Sequence, residues 1–225
     1  MILPQALAEA VAHWLRFEEL CGRQVLFSER HMAHAIGQFL LARYGNNVVP
    51  ECSHPVLPRK LIDFAVHDPN SNNLVDVIET KLVNDKRDFR QEIYNDLVRL
   101  ELAANHTADT NAWMLIAGWG EHFKQKVVCE PEDGQLSPLD GILHHYKQEE
   151  PQVVEIAQSN APERALWQRS FQDLKLADSG IEGPACIRTQ LQGRWLFDAA
   201  VYDDNWMCMV WQVSSSNPRE TCVLE

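Results

Sequence analysis

Two apolar stretches separated by a run of turn-forming residues constrain the fold of this chain more than any other feature. Residues 61–67 and 74–83 are rich in β-branched and other apolar side chains, a composition typical of strands. Between them, residues 68–73 are Asp, Pro, Asn and Ser, the residue types that favour turns. The sequence therefore predicts an antiparallel hairpin in which Asp63 lies opposite residue 78 or 79.

Three charged residues interrupt the apolar strands of this hairpin. Glu79 and Lys81 are two residues apart, so their side chains share one face of the second strand. If Asp63 pairs with Glu79, two carboxylates face each other and repel unless a positive charge lies between them. Because carboxylate oxygens are ligands of Mg²⁺ and Mn²⁺, the pattern predicts a divalent-cation site. The alternative is a surface salt bridge, which the apolar flanking residues disfavour.

The rest of the chain predicts an α/β protein with a small mixed sheet flanked by helices. The predicted helices cover residues 4–19, 28–44, 85–104, 121–128, 139–148 and 162–176, with Ser28 as an N-cap and Gly45 as a stop. The further predicted strands cover residues 48–52 and 112–118, followed by a three-strand meander over 185–213 that turns at 192–193 and 203–205. We expect a core with an N-terminal helix at residues 1–128, and an acidic connector, helix and meander at 129–225.

The charged residues of the hairpin resemble a known motif. Asp63, fifteen intervening residues and then Glu79-Thr80-Lys81 resemble the PD-(D/E)xK motif of the restriction-endonuclease-like nucleases, although Ile62 stands in the place of the motif's Pro. The order of predicted elements over residues 25–128 is similar to that family's core. The resemblance implies Mg²⁺-dependent hydrolysis of DNA phosphodiester bonds. Asp63 and Glu79 would bind the metal with a main-chain carbonyl near Thr80, and Lys81 would orient or polarise the attacking water.

The resemblance implies two further site residues on the helices that flank the hairpin. Glu29 matches an acid that many members place on the preceding helix as an additional metal ligand or helper. Its alternative role is to interact with the helix dipole beside Ser28. Gln91 matches a polar residue on the following helix, but Tyr94 comes one residue too early for the Gln-x-x-x-Tyr of exonuclease-like members.

The net charge of -12 argues against a protein that coats nucleic acid. Most of this acidity lies outside the predicted core, since residues 1–128 carry a net charge of -3 and residues 129–225 carry -9. Cations near the motif could neutralise phosphates, or could pair with the acids interleaved among them. They are Arg59, Lys60, Lys86, Arg87 and Arg90.

Composition also limits the location and the partners of the chain. Its six cysteines are far apart and form no C-x-x-C pair, which favours a reducing cytoplasm. No apolar run is long enough to cross a membrane, and the N-terminus lacks the features of a signal peptide. The meander aromatics could stack on bases, but packing in the core or in a homodimer is favoured. They are Trp195, Phe197, Trp206 and Trp211.

Two hypotheses follow from the sequence. The first is a metal-dependent nuclease, a hydrolase whose partner is nucleic acid in the form of DNA. The second is a catalytically inactive restriction-endonuclease-like scaffold that serves as a binding or assembly subunit in a mobile-element or defence system. Binding of Mg²⁺ or Mn²⁺ that depends on Asp63 distinguishes them.

Overall fold

A seven-stranded mixed sheet with helices on both faces organises the protein. The computed structural model describes residues 2–84, 89–107, 109–128, 139, 142–143, 151–196, 205–216 and 218–224. The helices are α1 (Leu3–Leu20), α2 (Glu29–Tyr44), α3 (Arg90–Ala104), α4 (Gly120–Phe123), which continues into a π-helical turn at Lys124–Val128, and α5 (Ala161–Asp173). The strands are β1 (Val48–Ser53), β2 (Leu61–His67), β3 (Leu74–Val83), β4 (Asn111–Trp119), β5 (Gln152–Glu155), β6 (Gly183–Pro184), β7 (Cys186–Leu196), β8 (Trp206–Ser214) and β9 (Thr221–Cys222).

The order of the strands places the predicted hairpin well inside the main sheet. That order is β1-β2-β3-β4-β8-β7-β5, while β6 and β9 form a separate two-stranded sheet. β3 and β4 are parallel, and the other neighbouring strands of the main sheet are antiparallel. Because α3 connects β3 to β4, the parallel pair has the helical crossover that such pairs require.

The main sheet has an apolar core on each face. On one face, α1 and α2 bury Leu7 and Ile36 against Ile78 of β3. On the other face, α3 and α5 bury Ile93 and Trp167 in a second cluster. β4 contributes to both clusters, and residues 112–118 are all buried, as the wholly apolar run predicts.

The signals at the ends of α2 act as the sequence predicts. The hydroxyl of Ser28 accepts a hydrogen bond from the backbone N–H of His31, and Gly45 ends the helix with a φ of 61°. The predictions for α1, α2, α5 and β1 to β4 are confirmed to within a few residues. Residues 85–88, the first part of the helix predicted over 85–104, lie outside the described residues, as does most of the predicted helix over 139–148.

The C-terminal meander differs from its prediction. The turn predicted at residues 192–193 is wrong, because β7 continues through it with a register shift between Leu191 and Gly193. A Cβ on Gly193 would lie 2.2 Å from the carbonyl oxygen of Pro4, so this glycine allows the strand to pack closely against the start of α1. β8 pairs with β4, so the sheet continues across the expected boundary at residue 128. Residues 203–204 of the second predicted turn lie outside the described part of the chain.

The close contact at Gly193 predicts a stability effect. Gly193→Ala should lower the free energy of unfolding by about 1–3 kcal/mol, because the added methyl group overlaps the backbone of α1. Gly37→Ala is the matched control, since its Cβ would lie 3.4 Å from Phe64 and alanine favours the helix. Urea unfolding of both variants checks this. Equal stabilities for the two alanine variants would contradict the packing of β7 on α1.

The described residues contain neither a membrane-spanning helix nor a disulfide bond. No helix among them combines the length and the hydropathy needed to cross a membrane. The five cysteines that the structure describes are free thiols, and Cys129 lies outside the described residues.

Candidate functional site

The register of the hairpin selects one of the two predicted pairings. β2 and β3 pair Phe64 with Ile78 and Ala65 with Val77. Extending this register by one residue places Asp63 across from Glu79. The two acids therefore occupy opposing positions on neighbouring strands.

Asp63 points toward α2. Its Oδ2 atom accepts two hydrogen bonds from Thr80, one from the backbone N–H and one from the hydroxyl, each at 2.8 Å. Asp63 also lines a cleft of about 700 Å³ between α2 and the strands β1 to β3. Residues around this α2 cleft include Glu29, His34, Leu41, Pro50 and Thr80. Thr80 therefore holds the Asp63 carboxylate at a surface that solutes can reach.

Glu79 is fully buried and faces α3 instead. Its Oε2 atom lies 2.8 Å from Nη2 of Arg99, yet neither carboxylate oxygen has a partner in hydrogen-bonding geometry. Burial raises the pKa of Glu79 well above its usual value, and the neighbouring charge of Asp96 raises it further. Arg99 is thus the cation that the structure places against this buried carboxylate.

Lys81 lies among three carboxylates and is only 9% exposed. Its Nζ atom lies 2.9 Å from Asp96 Oδ2, 3.9 Å from Glu29 and 4.0 Å from Glu92. Burial by itself lowers the pKa of Lys81, but the carboxylates of Asp96 and Glu29 more than offset it, so the net shift is upward. Lys81 therefore carries its positive charge at neutral pH.

Asp96 and Arg99 of α3 complete this charged cluster, and sequence reasoning missed both. Asp96 is 3% exposed and lies between two cations, since its Oδ1 atom is 2.6 Å from Nη2 of Arg99. Arg99 also donates to the carbonyl of Leu61 at 3.1 Å, which connects α3 to the start of β2. The signal that could have found them is a charged pair, three residues apart, beside the apolar stripe of the helix.

Glu29 lies at the edge of the cluster. It lines the α2 cleft with Asp63 and lies 3.9 Å from Lys81. Burial raises the pKa of Glu29, while the charge of Lys81 opposes the shift. Glu29 also directly follows the Ser28 cap in the first turn of α2, where an acid interacts favourably with the helix dipole.

Gln91 makes its hydrogen bonds away from Lys81. Its side-chain Nε2 donates to the hydroxyl of Ser170 at 2.8 Å and to the carbonyl of Leu166 at 3.1 Å. These bonds connect α3 to α5, on the side of the helix that packs against α5. They satisfy the nitrogen of the amide, whereas its buried Oε1 has no hydrogen-bond partner among the described residues, and the lysine contacts Asp96 instead.

His54 supports the site from the loop between β1 and β2. Its Nδ1 accepts the backbone N–H groups of Val56 and Leu57 at 3.1 and 2.9 Å. Its Nε2 lies 2.8 Å from the carbonyl oxygen of Arg99, so we assign the proton of the neutral ring to Nε2. Burial lowers the pKa of His54 to about 4, with the charge of Arg99 acting in the same direction and its carbonyl opposing. The neutral ring thus fixes the loop that leads to Asp63.

This shift predicts a pH dependence of stability. The pKa of His54 falls from 6.5 to about 4 on folding, so between these values the unfolded chain binds a proton that the folded protein does not. The contribution of the neutral ring to the free energy of unfolding is therefore fully present above pH 6.5 and is lost progressively below it. The full loss corresponds to roughly 3 kcal/mol. His54→Asn should be less stable than the wild type at pH 7.5, with a smaller difference at pH 4.5. A difference that does not depend on pH, measured by urea unfolding, would contradict a buried neutral ring.

The other sequence candidates for nucleic-acid contact are only partly described. Trp211 is fully buried and Trp206 is 6% exposed, so both pack in the core as expected. Lys60 donates to the carbonyl of Asp173, and Arg59 is exposed. Phe197, Lys86 and Arg87 lie outside the described residues.

Within the part of the chain that the structure describes, no group of three or more His, Cys, Asp or Glu side chains is arranged to hold a metal ion. A cation at Asp63 and Glu79 would therefore need other oxygen ligands as well. No family model matches the chain, and no curated protein or solved structure matches it either.

Proposed function

We propose that this protein is a Mg²⁺-dependent nuclease that hydrolyses phosphodiester bonds of DNA. The observation that carries the proposal is the register of the hairpin, which sets Asp63 across from the fully buried Glu79. Lys81 lies two residues further along the same strand. A fully buried carboxylate is costly unless positive charge compensates it, and Arg99, 2.8 Å from Glu79, is one such charge.

The topology supports a restriction-endonuclease-like core. The chain runs through α2, three antiparallel strands β1 to β3, α3 and then β4 parallel to β3. This order agrees with the family core that the motif implies. The strands β8, β7 and β5 extend the sheet beyond β4.

In this proposal a hard divalent cation would bind one carboxylate each of Asp63 and Glu79 and a main-chain carbonyl near Thr80. Glu29 lines the α2 cleft with Asp63 and would support the site without being a third acidic ligand. Mg²⁺ commonly binds one or two carboxylates together with substrate phosphate and water, so three acidic side chains are not required. When bound, such an ion supplies positive charge that polarises a phosphoryl oxygen and lowers the pKa of water.

The protein's own groups have distinct roles in this proposal. Thr80 orients Asp63 through two hydrogen bonds, which fixes the carboxylate before substrate arrives. Lys81 acts as a fixed positive charge that orients water and stabilises developing negative charge, because its raised pKa makes it a poor base. The α2 cleft gives the phosphodiester a route to Asp63.

One observation favours the scaffold as a second candidate function. Lys81 and Glu79 already have charged neighbours within the protein, namely Asp96 and Arg99. Such ion pairs can stabilise a site that no longer binds a metal. The scaffold would then act as a binding or assembly subunit.

The experiment that tests the nuclease is a cleavage assay on labelled single-stranded and double-stranded DNA. We expect cleavage with Mg²⁺ or Mn²⁺, none with a chelator, and none by Asp63→Asn. Asp173→Asn changes an acid on α5 whose carboxylate accepts from Asn95 and lies outside the cluster, so it is the control and should cleave normally. Cleavage by wild type and Asp63→Asn at equal rates would rule out this site.

A further inference from the structure

We propose that Asp96 is the positioning residue that holds Lys81 for the reaction, with Arg99 as the partner that fixes Asp96. This inference rests on the proposed function, because it assigns a role within the same site. It gives α3 a direct part in the chemistry through a residue that the motif does not include.

Asp96 lies between two cations. One carboxylate oxygen lies 2.9 Å from Nζ of Lys81 and the other lies 2.6 Å from Nη2 of Arg99. Both contacts are within charge-assisted hydrogen-bond distance. A carboxylate that is 3% exposed and shared in this way has little freedom to rotate.

Arg99 is held against the strands of the hairpin. Its guanidinium lies 2.8 Å from Glu79 and donates to the carbonyl of Leu61 at 3.1 Å. The backbone carbonyl of Arg99 lies against the ring of His54 at 2.8 Å. Arg99 is therefore fixed at both its side chain and its backbone. Because Asp96 contacts Arg99, the position of its carboxylate is fixed as well.

Lysine is a flexible side chain. A lysine side chain has a long aliphatic stem and a point charge, so it orients water well only if another group fixes it. The two other carboxylates near Lys81 are more distant, at 3.9 and 4.0 Å. They are also more exposed, with side-chain exposures of 39% for Glu29 and 29% for Glu92. Asp96 is thus the group that determines where Nζ lies.

The test compares Asp96→Asn and Asp96→Glu with a matched control on the same helix. Glu101→Gln serves as that control, because Glu101 is also fully buried and lies 2.8 Å from an arginine, Arg219, but outside the cluster. For each protein we would measure kcat and KM of DNA cleavage, Mg²⁺ affinity by calorimetry, and the rate at which acetic anhydride modifies Lys81. Thermal unfolding confirms folding, and Asp96→Ser replaces Asp96→Asn if the latter does not fold.

We expect Asp96→Asn to reduce kcat by about 10- to 100-fold, with KM and Mg²⁺ affinity unchanged. The amide of asparagine has only one acceptor oxygen, so either Lys81 or Arg99 then faces an N–H group instead of a carboxylate oxygen. Lys81 should be modified faster in Asp96→Asn, Asp96→Glu should recover part of the activity, and Glu101→Gln should match the wild type in all three measurements. A loss of Mg²⁺ affinity parallel to the loss of kcat would overturn the proposal by making Asp96 a ligand. Wild-type kcat, or unchanged modification of Lys81, would also overturn it.

A wild-type protein that neither binds Mg²⁺ nor cleaves DNA would refute the nuclease instead. In that case the modification rate of Lys81 still decides whether Asp96 holds the lysine. The two failures are therefore distinguishable.

Discussion

Lys81→Met should lower the rate of Mg²⁺-dependent DNA cleavage by about 100- to 1,000-fold, the cost typical of removing one positioned electrostatic group. The methionine keeps the length of the side chain but lacks the charge that orients water. Lys81→Arg should recover little activity, because a planar guanidinium cannot take the place of an ammonium among Asp96, Glu29 and Glu92.

The fold should survive Lys81→Met because Asp96 keeps its contact with Arg99 at 2.6 Å. Circular dichroism and thermal unfolding would verify this. Lys175→Met, which changes an exposed lysine beyond the end of α5, is the matched control and should cleave at the wild-type rate. Cleavage that persists in Lys81→Met would refute the assignment of Lys81.

Glu79→Gln should weaken Mg²⁺ binding by more than the roughly 10- to 100-fold typical of losing an outer-sphere partner, since it removes a direct ligand. The same variant should be at least as stable as the wild type at pH 8. Burial raises the pKa of Glu79, so ionising this carboxylate costs folding free energy as the pH rises above 4.5. Glutamine has a similar shape and does not ionise.

Titration calorimetry measures the first effect and thermal unfolding measures the second. Glu101→Gln is again the matched control and should leave Mg²⁺ affinity unchanged, because Glu101 pairs with Arg219 away from the cluster. If Glu79→Gln bound Mg²⁺ as the wild type does, Glu79 would be a structural acid neutralised by Arg99.

Local signals were sufficient to predict the hairpin and the order of the elements. The turn residues at 68–73 define the hairpin to within one residue of register, and the cap at Ser28 and the stop at Gly45 define α2. The alternation of side chains correctly places Glu79 and Lys81 on one face, toward α3.

The rest of the site depends on tertiary contacts that local patterns do not contain. Asp63 turns toward Thr80 and α2, because the threonine offers two donors on that side. Asp96 and Arg99 contact β3 only because the crossover from β3 to β4 lays α3 across the sheet. The continuation of β7 through Gly193 likewise depends on the helix packed against it, which a local turn signal does not include.

Anomalous X-ray scattering of Mn²⁺ in crystals of wild type and Asp63→Asn shows whether Asp63 and Glu79 together bind a cation. We expect one peak within about 2.0–2.6 Å of carboxylate oxygens of both Asp63 and Glu79 in the wild type, as is usual for oxygen ligands of such cations. We expect no peak at that position in Asp63→Asn. A wild-type crystal soaked with Mn²⁺ that shows no peak there, or a peak that persists in Asp63→Asn, would contradict this cation site.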